Sequence, residues 1–208
     1  NTVLSPFNFA RSLYDICIKH LTQKESVREL YRIFYYDCPP LEKKITHPIS
    51  KNLVDFADSK EFYFREGLHK ELRKLRKVAL RFGRLAENGN WQLKPYRIRD
   101  LLEKNITVDQ LEENDMFYVV HQKGIDLKIG IDISSLTLKK LVDQIILVAG
   151  DNDFVPAAKL ARREGIDFIL DPMWNPISDE LYEHIDGLRS TCSPPKKEFS
   201  NGIIYPSP

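Results

Sequence analysis

Residues 144–149 read QIILVA and run directly into Gly150-Asp151-Asn152-Asp153. An almost wholly apolar run of this length suits a strand covered on both faces, as parallel strands are. Pro156 stands where a first helical turn accepts proline. The helix is expected to reach about Glu164, where Gly165 ends it, and residues 166–170 (IDFIL) supply a second strand. Strand, helix and strand in that order make a right-handed crossover between parallel neighbours. That unit commits the chain to an α/β fold. Its 208 residues fit one such domain carrying an insertion.

The rest of the chain reads as follows. Pro6 opens a helix with Phe9, Leu13, Ile16 and Cys17 at helical spacing. Residues 29–36 (ELYRIFYY) read as a strand closed by Asp37-Cys38-Pro39-Pro40, and residues 42–51 as a loop. A long basic helix is expected over 59–77, with Phe62, Leu68, Leu72 and Leu75 on its apolar side. Segments 78–85 and 91–94 flank Asn88-Gly89 and suggest an antiparallel hairpin. Thr107 and Gln110 form a capping box. Gly124 precedes a helix over about 125–140, and Ser178 caps a last one reaching about Leu188. The tail from Ser193 carries four prolines and is expected to be extended.

Composition narrows the function classes. Hydrophobic residues make up 42% of the chain and charged ones 29%, as in soluble proteins. No apolar run approaches the roughly 20 residues of a membrane span, and no signal peptide is legible. A net charge of +1 supplies no global field. A nucleic-acid partner would need a local basic patch, such as Lys70, Arg73, Lys74, Arg76 and Lys77, or Lys139 and Lys140. Such runs are more often solvated helix faces. Cys17, Cys38 and Cys192 are odd in number and form no C-x-x-C pair, which fits a reducing cytoplasm rather than a disulfide framework. The five histidines lack metal-ligand spacing, so a structural role is the default.

The carboxylates are the chemically pointed feature. In open parallel sheets, ligands bind beyond the carboxyl ends of the strands. Two expected strands end in acids there, at Asp37 and at Asp151 with Asp153, and Asp126 opens a helix behind Lys123 and Gly124. Two carboxylates about 5 Å apart repel by roughly 3 kcal/mol at an effective dielectric near 20. Three such pairs would rival the whole stability of a domain, about 5–15 kcal/mol. Converging acids must therefore be separated, protonated or neutralised, and a hard cation such as Mg²⁺ or Mn²⁺ with oxygen ligands does this best. The bland reading is a turn or a helix cap. It stands beside the ligand reading for Asp151 and Asp153 and is the better one for Asp37; Asp132 falls on a different helix face from Asp126.

Lys123-Gly124-Ile125-Asp126, followed by IILVAGDND and Phe154, and then Gly165 ahead of a strand, resembles the NYN domain of the PIN-like nuclease superfamily, in its bacterial form. The similarity covers about residues 30–189. It implies a Rossmann-like (PIN-like) parallel sheet flanked by helices, with a helix and β-hairpin inserted over about 41–115. It also implies a domain spanning residues 1–190 ahead of a Pro-rich tail (191–208), and metal-dependent cleavage of RNA, in the endoribonuclease mode. Asp126, Asp151 and Asp153 would be catalytic and metal-binding, for Mg²⁺ or Mn²⁺. Asp37, Asn152 and Lys123 would support them from behind, and Lys70, Arg73, Lys74 and Lys77 would contact RNA. Family members carry a further strand ending in an Asp-Gly-x-Asn motif, expected here upstream of Asn1. A homo-oligomer stays open.

Two other readings compete. Asp151-Asn152-Asp153-Phe154-Val155 satisfies the D-x-D-x-[T/V] signature of haloacid-dehalogenase-like phosphatases, but only about 55 residues follow and no acidic pair ends a later strand. A non-catalytic RNA- or protein-binding module on the same fold is the second, supported by the absent first acid.

Overall fold

The computed structural model describes residues 5–23, 26–149 and 151–195. It is a mixed α/β structure with two compact units, Asn1–Asp132 and Ile133–Pro208. The expected Pro-rich tail lies largely outside the described residues, from residue 196 onward.

In the first unit, Ser5 accepts the Asn8 amide at 3.2 Å and Pro6 fills the opening turn of α1 (Pro6–Lys19). Two short strands, β1 (Thr22–Gln23) and β2 (Ser26–Val27), pair antiparallel before β3 (Ile33–Asp37). Where a loop was expected over 42–51, β4 (Lys44–Thr46) and β5 (Leu53–Asp55) make an antiparallel hairpin. Its turn is organised by buried His47, whose Nδ1 accepts the Ile49 amide at 3.2 Å and whose ring meets Trp91 edge-on at 4.3 Å. A tertiary contact of that kind leaves no periodicity in the sequence.

Ser59 caps α2 (Lys60–Lys74) through the Phe62 amide at 3.1 Å. The helix stops short of Lys77 because Leu75 is already extended. β6 (Val78–Phe82) then lies parallel to β3, from Ile33 opposite Val78 to Asp37 opposite Phe82. Ala10, Leu68 and Leu72 form a buried cluster that Phe9, Tyr35, Val78 and Leu80 complete. This core is what recruits β6 to β3.

The expected hairpin over 78–85 and 91–94 does not form. β7 (Arg84–Leu85) and β8 (Asn90–Leu93) take other partners. α3 (Pro95–Leu102) and a single 3₁₀ turn over 108–110 follow, the latter closed by the Thr107 amide on Gln110 Oε1 at 2.8 Å. β9 (Met116–Val119) pairs with β8, and β10 (Gln122–Lys123) pairs with β7, both antiparallel. Gly89 does not adopt the left-handed backbone that a tight Asn-Gly turn needs. It serves packing instead: a Cβ there would lie 2.6 Å from the Tyr118 ring. α4 (Ile125–Leu138) follows Gly124, whose φ of 80° turns the chain into it. The boundary between the units falls inside this helix.

In the second unit, β11 (Gln144–Val148), α5 (Val155–Arg163) and β12 (Asp167–Asp171) form the expected parallel crossover. Gly165 ends α5 at φ 83°. α6 (Asp179–Glu183), capped by Ser178, is shorter than expected because β13 (Gly187–Leu188) joins β12 in parallel. Ile145, Leu147, Phe168 and Leu170 are buried, whereas Val148 is exposed, so β11 is fully covered on one face only. Among the described residues, the parallel strands belong to two hydrogen-bonded sheets, β3–β6 and β11–β12–β13, rather than one continuous Rossmann-like sheet. No described helix is long and apolar enough to cross a membrane.

Asp115 secures the strand β9 at its start. Its buried carboxylate accepts the Glu112 amide at 2.9 Å and Arg97 Nε at 2.7 Å. The Glu112 N–H first, and Arg97 second, hold this carboxyl below the usual carboxylate range. A depressed folded value contributes stability above the unfolded value, about 4, which is lost as pH falls through the folded one. Asp115→Asn should therefore lower Tm at pH 7 and flatten its fall below pH 4. Thermal melts across pH 3–7 check this; parallel profiles would contradict it.

Candidate functional site

The end of β3 shows how this chain handles a buried carboxylate. Asp37 is 8% exposed. Its Oδ1 accepts the Cys38 amide at 2.8 Å and pairs with Arg65, and Oδ2 lies 2.8 Å from His69 Nε2. The neighbouring Tyr35 hydroxyl is pushed up to about 12, mainly by burial and then by Asp37. Asp37 thus has its cation within the fold. Arg65 and His69, one turn apart on α2, were not singled out by sequence reasoning. Asp132 is committed in the same way, accepting the Tyr36 hydroxyl at 2.8 Å and Arg81 Nε at 3.0 Å.

Beside Asp37, the Lys-Gly-Ile-Asp segment is built against the strand end. A Cβ on Gly83 would meet the Lys123 carbonyl at 2.7 Å, Ile125 Cδ1 at 2.8 Å and Cys38 Sγ at 3.1 Å. The first unit therefore brings residues 37–38 and 123–125 together. Burial pushes the Cys38 thiol up, which argues against a thiolate nucleophile. Lys123 is exposed in β10. Asp126 is exposed in the first turn of α4, where the helix dipole favours negative charge.

The second unit places the Gly-Asp-x-Asp-Phe motif between β11 and α5. Phe154 and Val155 are buried and anchor the segment, while Asp151 and Asp153 are exposed. Asp151 Oδ1 accepts the Asp153 amide at 3.1 Å, the short-range turn that the bland reading foresaw. The Asn152 side chain lies outside the described atoms. Among the described residues, no basic side chain pairs with Asp126, Asp151 or Asp153. By donor type they suit a hard divalent cation. Among the described residues, however, no group of three or more His, Cys, Asp or Glu side chains is assembled to hold a metal ion.

Sequence reasoning missed an acid on the next strand. Asp171 ends β12, fully buried, and accepts the Met173 amide at 2.8 Å and the Thr191 amide at 3.1 Å. Between those two contacts, Met173 and Trp174 take left-handed φ values of 50° and 68°. Such a conformation costs roughly 1–2 kcal/mol per non-glycine residue. Trp174 is held there by Ser190 Oγ, which accepts its amide at 3.1 Å, and by the Cys192 carbonyl, which accepts Nε1–H at 2.8 Å. The Asp-Pro pair at 171–172 was the available signal; its tertiary partners were not legible.

Of the basic residues, Lys74 pairs with Glu71 at 2.7 Å and Lys77 with Glu29 at 3.2 Å. Arg73 lies over the Phe82 ring at 5.5 Å, exposed, and Lys70 is exposed.

The family model described as NYN domain matches residues 53–186. No curated protein and no solved structure matches the chain.

Breaking the Asp37 cluster should be structural in effect. Removing one partner of a largely buried ion pair costs about 3 kcal/mol. Asp37→Asn should approach that loss in urea denaturation, and adding Arg65→Met should recover part of it. Additive losses in the double-mutant cycle would show that the two side chains are not coupled.

Proposed function

Because the chain belongs to the NYN domain family, within the PIN-like nuclease superfamily, we propose that it is a metal-dependent ribonuclease whose acids are Asp126, Asp151 and Asp153. The observation that carries this reading is the division among its carboxylates. Asp37, Asp115, Asp132 and Asp171 are satisfied inside the fold. The acids of the two family-like motifs stand exposed, with no basic partner among the described residues, at the start of α4 and ahead of α5.

The reading assigns each residue a task. Asp126 and Asp151 are the ligands of one or two Mg²⁺ or Mn²⁺ ions. Asp153 is a further ligand or orients the attacking water. A divalent ion, when bound, lowers the pKa of water and screens the phosphate charge during in-line attack. The helix dipole favours the negative charge of Asp126 at the start of α4 and that of Asp153 ahead of α5. A PIN-like parallel sheet and a cytoplasmic setting, where the three free cysteines stay reduced, belong to the same proposal. The lack of an assembled metal-ligand group among the described residues favours one second reading, a binding module without catalysis.

Purified protein should cleave a single-stranded RNA with Mg²⁺ or Mn²⁺, lose the activity in EDTA and regain it on adding back the ion. Asp126→Asn and Asp151→Asn should each lower kcat at least about a hundredfold, the scale of losing a transition-state electrostatic contact, with far-UV circular dichroism unchanged. Full activity in the double variant would sink the assignment. Unchanged RNA binding without cleavage would favour the binding module.

Of the four side chains expected to contact RNA, Lys70 and Arg73 form no ion pair among the described residues, and we propose them as the phosphate contacts. Each phosphate contact adds roughly 0.7 to the salt slope of single-strand binding. Lys70→Gln with Arg73→Gln should reduce that slope by about one to one and a half. An unaltered slope would remove α2 from the RNA path.

A further inference from the structure

We infer that Trp174 is a nucleobase-stacking residue of the proposed site, holding an unpaired base of a single-stranded RNA beside the Asp151–Asp153 turn. The inference rests on the ribonuclease reading and adds to it a residue that recognises substrate.

The first support is register. β11 and β12 run parallel with Val148 opposite Asp171, so the two strands end level. Asp151 lies three residues beyond Val148, and Trp174 three residues beyond Asp171. Neighbouring strands are about 4.8 Å apart. The acidic turn and the tryptophan loop therefore leave the same sheet edge side by side, within one unit. A nucleotide whose phosphate lies at the acids has its base within reach of that loop.

The second support is exposure of an aromatic ring that the fold holds still. Trp174 is 51% exposed and Met173 beside it 40%. An indole left in water by chance would be free to change rotamer. Here its ring N–H donates to the Cys192 carbonyl and its backbone amide to Ser190 Oγ. Asp171 ties the loop to residue 191 from beneath. The indole's one polar atom is thus satisfied by the protein, so what this half-exposed side chain can still offer a partner is its π-system. Every base has a π-face, so such a contact tolerates sequence and demands single strands. Two consecutive left-handed residues, one of them bulky, are retained to present it.

The test uses the Asp151→Asn protein, which should bind RNA without cutting it, and fluorescence anisotropy with a labelled single-stranded oligonucleotide. Trp174→Ala should weaken binding about tenfold, as expected for one lost stacked base, and Trp174→Phe should keep most of the affinity. An oligonucleotide with abasic sites should bind Trp174 protein about as weakly as the intact one binds Trp174→Ala, and the alanine variant should not distinguish the two. A structural role alone would not produce that pattern. Equal affinity of the Trp174 and Trp174→Ala proteins for the intact strand overturns the stacking role, while wild-type cleavage in Mn²⁺ keeps the nuclease reading standing. If the wild type neither binds nor cleaves RNA, both fall together.

Discussion

A carboxylate at the end of a parallel strand is expensive to bury and must find donors close by. This chain does so at Asp37 and at Asp171, by different means. Asp37 is matched by Arg65 and His69, one turn apart on α2. Asp171 accepts backbone amides from residues 173 and 191. Each acid organises what surrounds it. The first locks α2 to the strand whose end abuts residues 123–125. The second shapes the loop that carries Trp174. Against that background, Asp126, Asp151 and Asp153 stand out as motif acids that are exposed and have no basic partner among the described residues.

Legibility in the sequence followed the range of the interactions. The crossover from β11 through α5 to β12 rests on local signals, an apolar run, Pro156 and Gly165, and each stands where the sequence put it. Ser5, Ser59 and Ser178 cap helices through the same short-range chemistry. What could not be read was pairing between distant segments. Asn88-Gly89 looked like a hairpin turn because the sequence does not reveal that Tyr118 needs the space above Gly89. β6 looked like half of that hairpin because its partner β3 lies some 45 residues earlier.

The candidate site divides along the same line. Lys-Gly-Ile-Asp and Gly-Asp-Asn-Asp-Phe are contiguous motifs, visible in the sequence, and both lie within residues 53–186, which the NYN family model matches. Arg65, His69, Asp171 and Trp174 matter through contacts 16 to 32 residues away, or through backbone torsions, and neither leaves a periodicity. The basic helix is a different case. Its charge run was obvious, but the structure commits Lys74 and Lys77 to Glu71 and Glu29.

The level register of β11 and β12 has an evolutionary corollary. Side chains alternate across a strand, so gaining or losing one residue between Val148 and Asp167 would either rotate Phe168 and Leu170 toward water or be absorbed by unwinding α5. Ile145 and Leu147 would then lose the neighbours that bury them. This stretch is accordingly held in length as well as at its buried positions, Phe154, Val155, Ala158 and Ala161. The connection at residues 87–88, between the Ala86 amide held by the His121 carbonyl and Gly89 packed on Tyr118, is where added residues disturb the least.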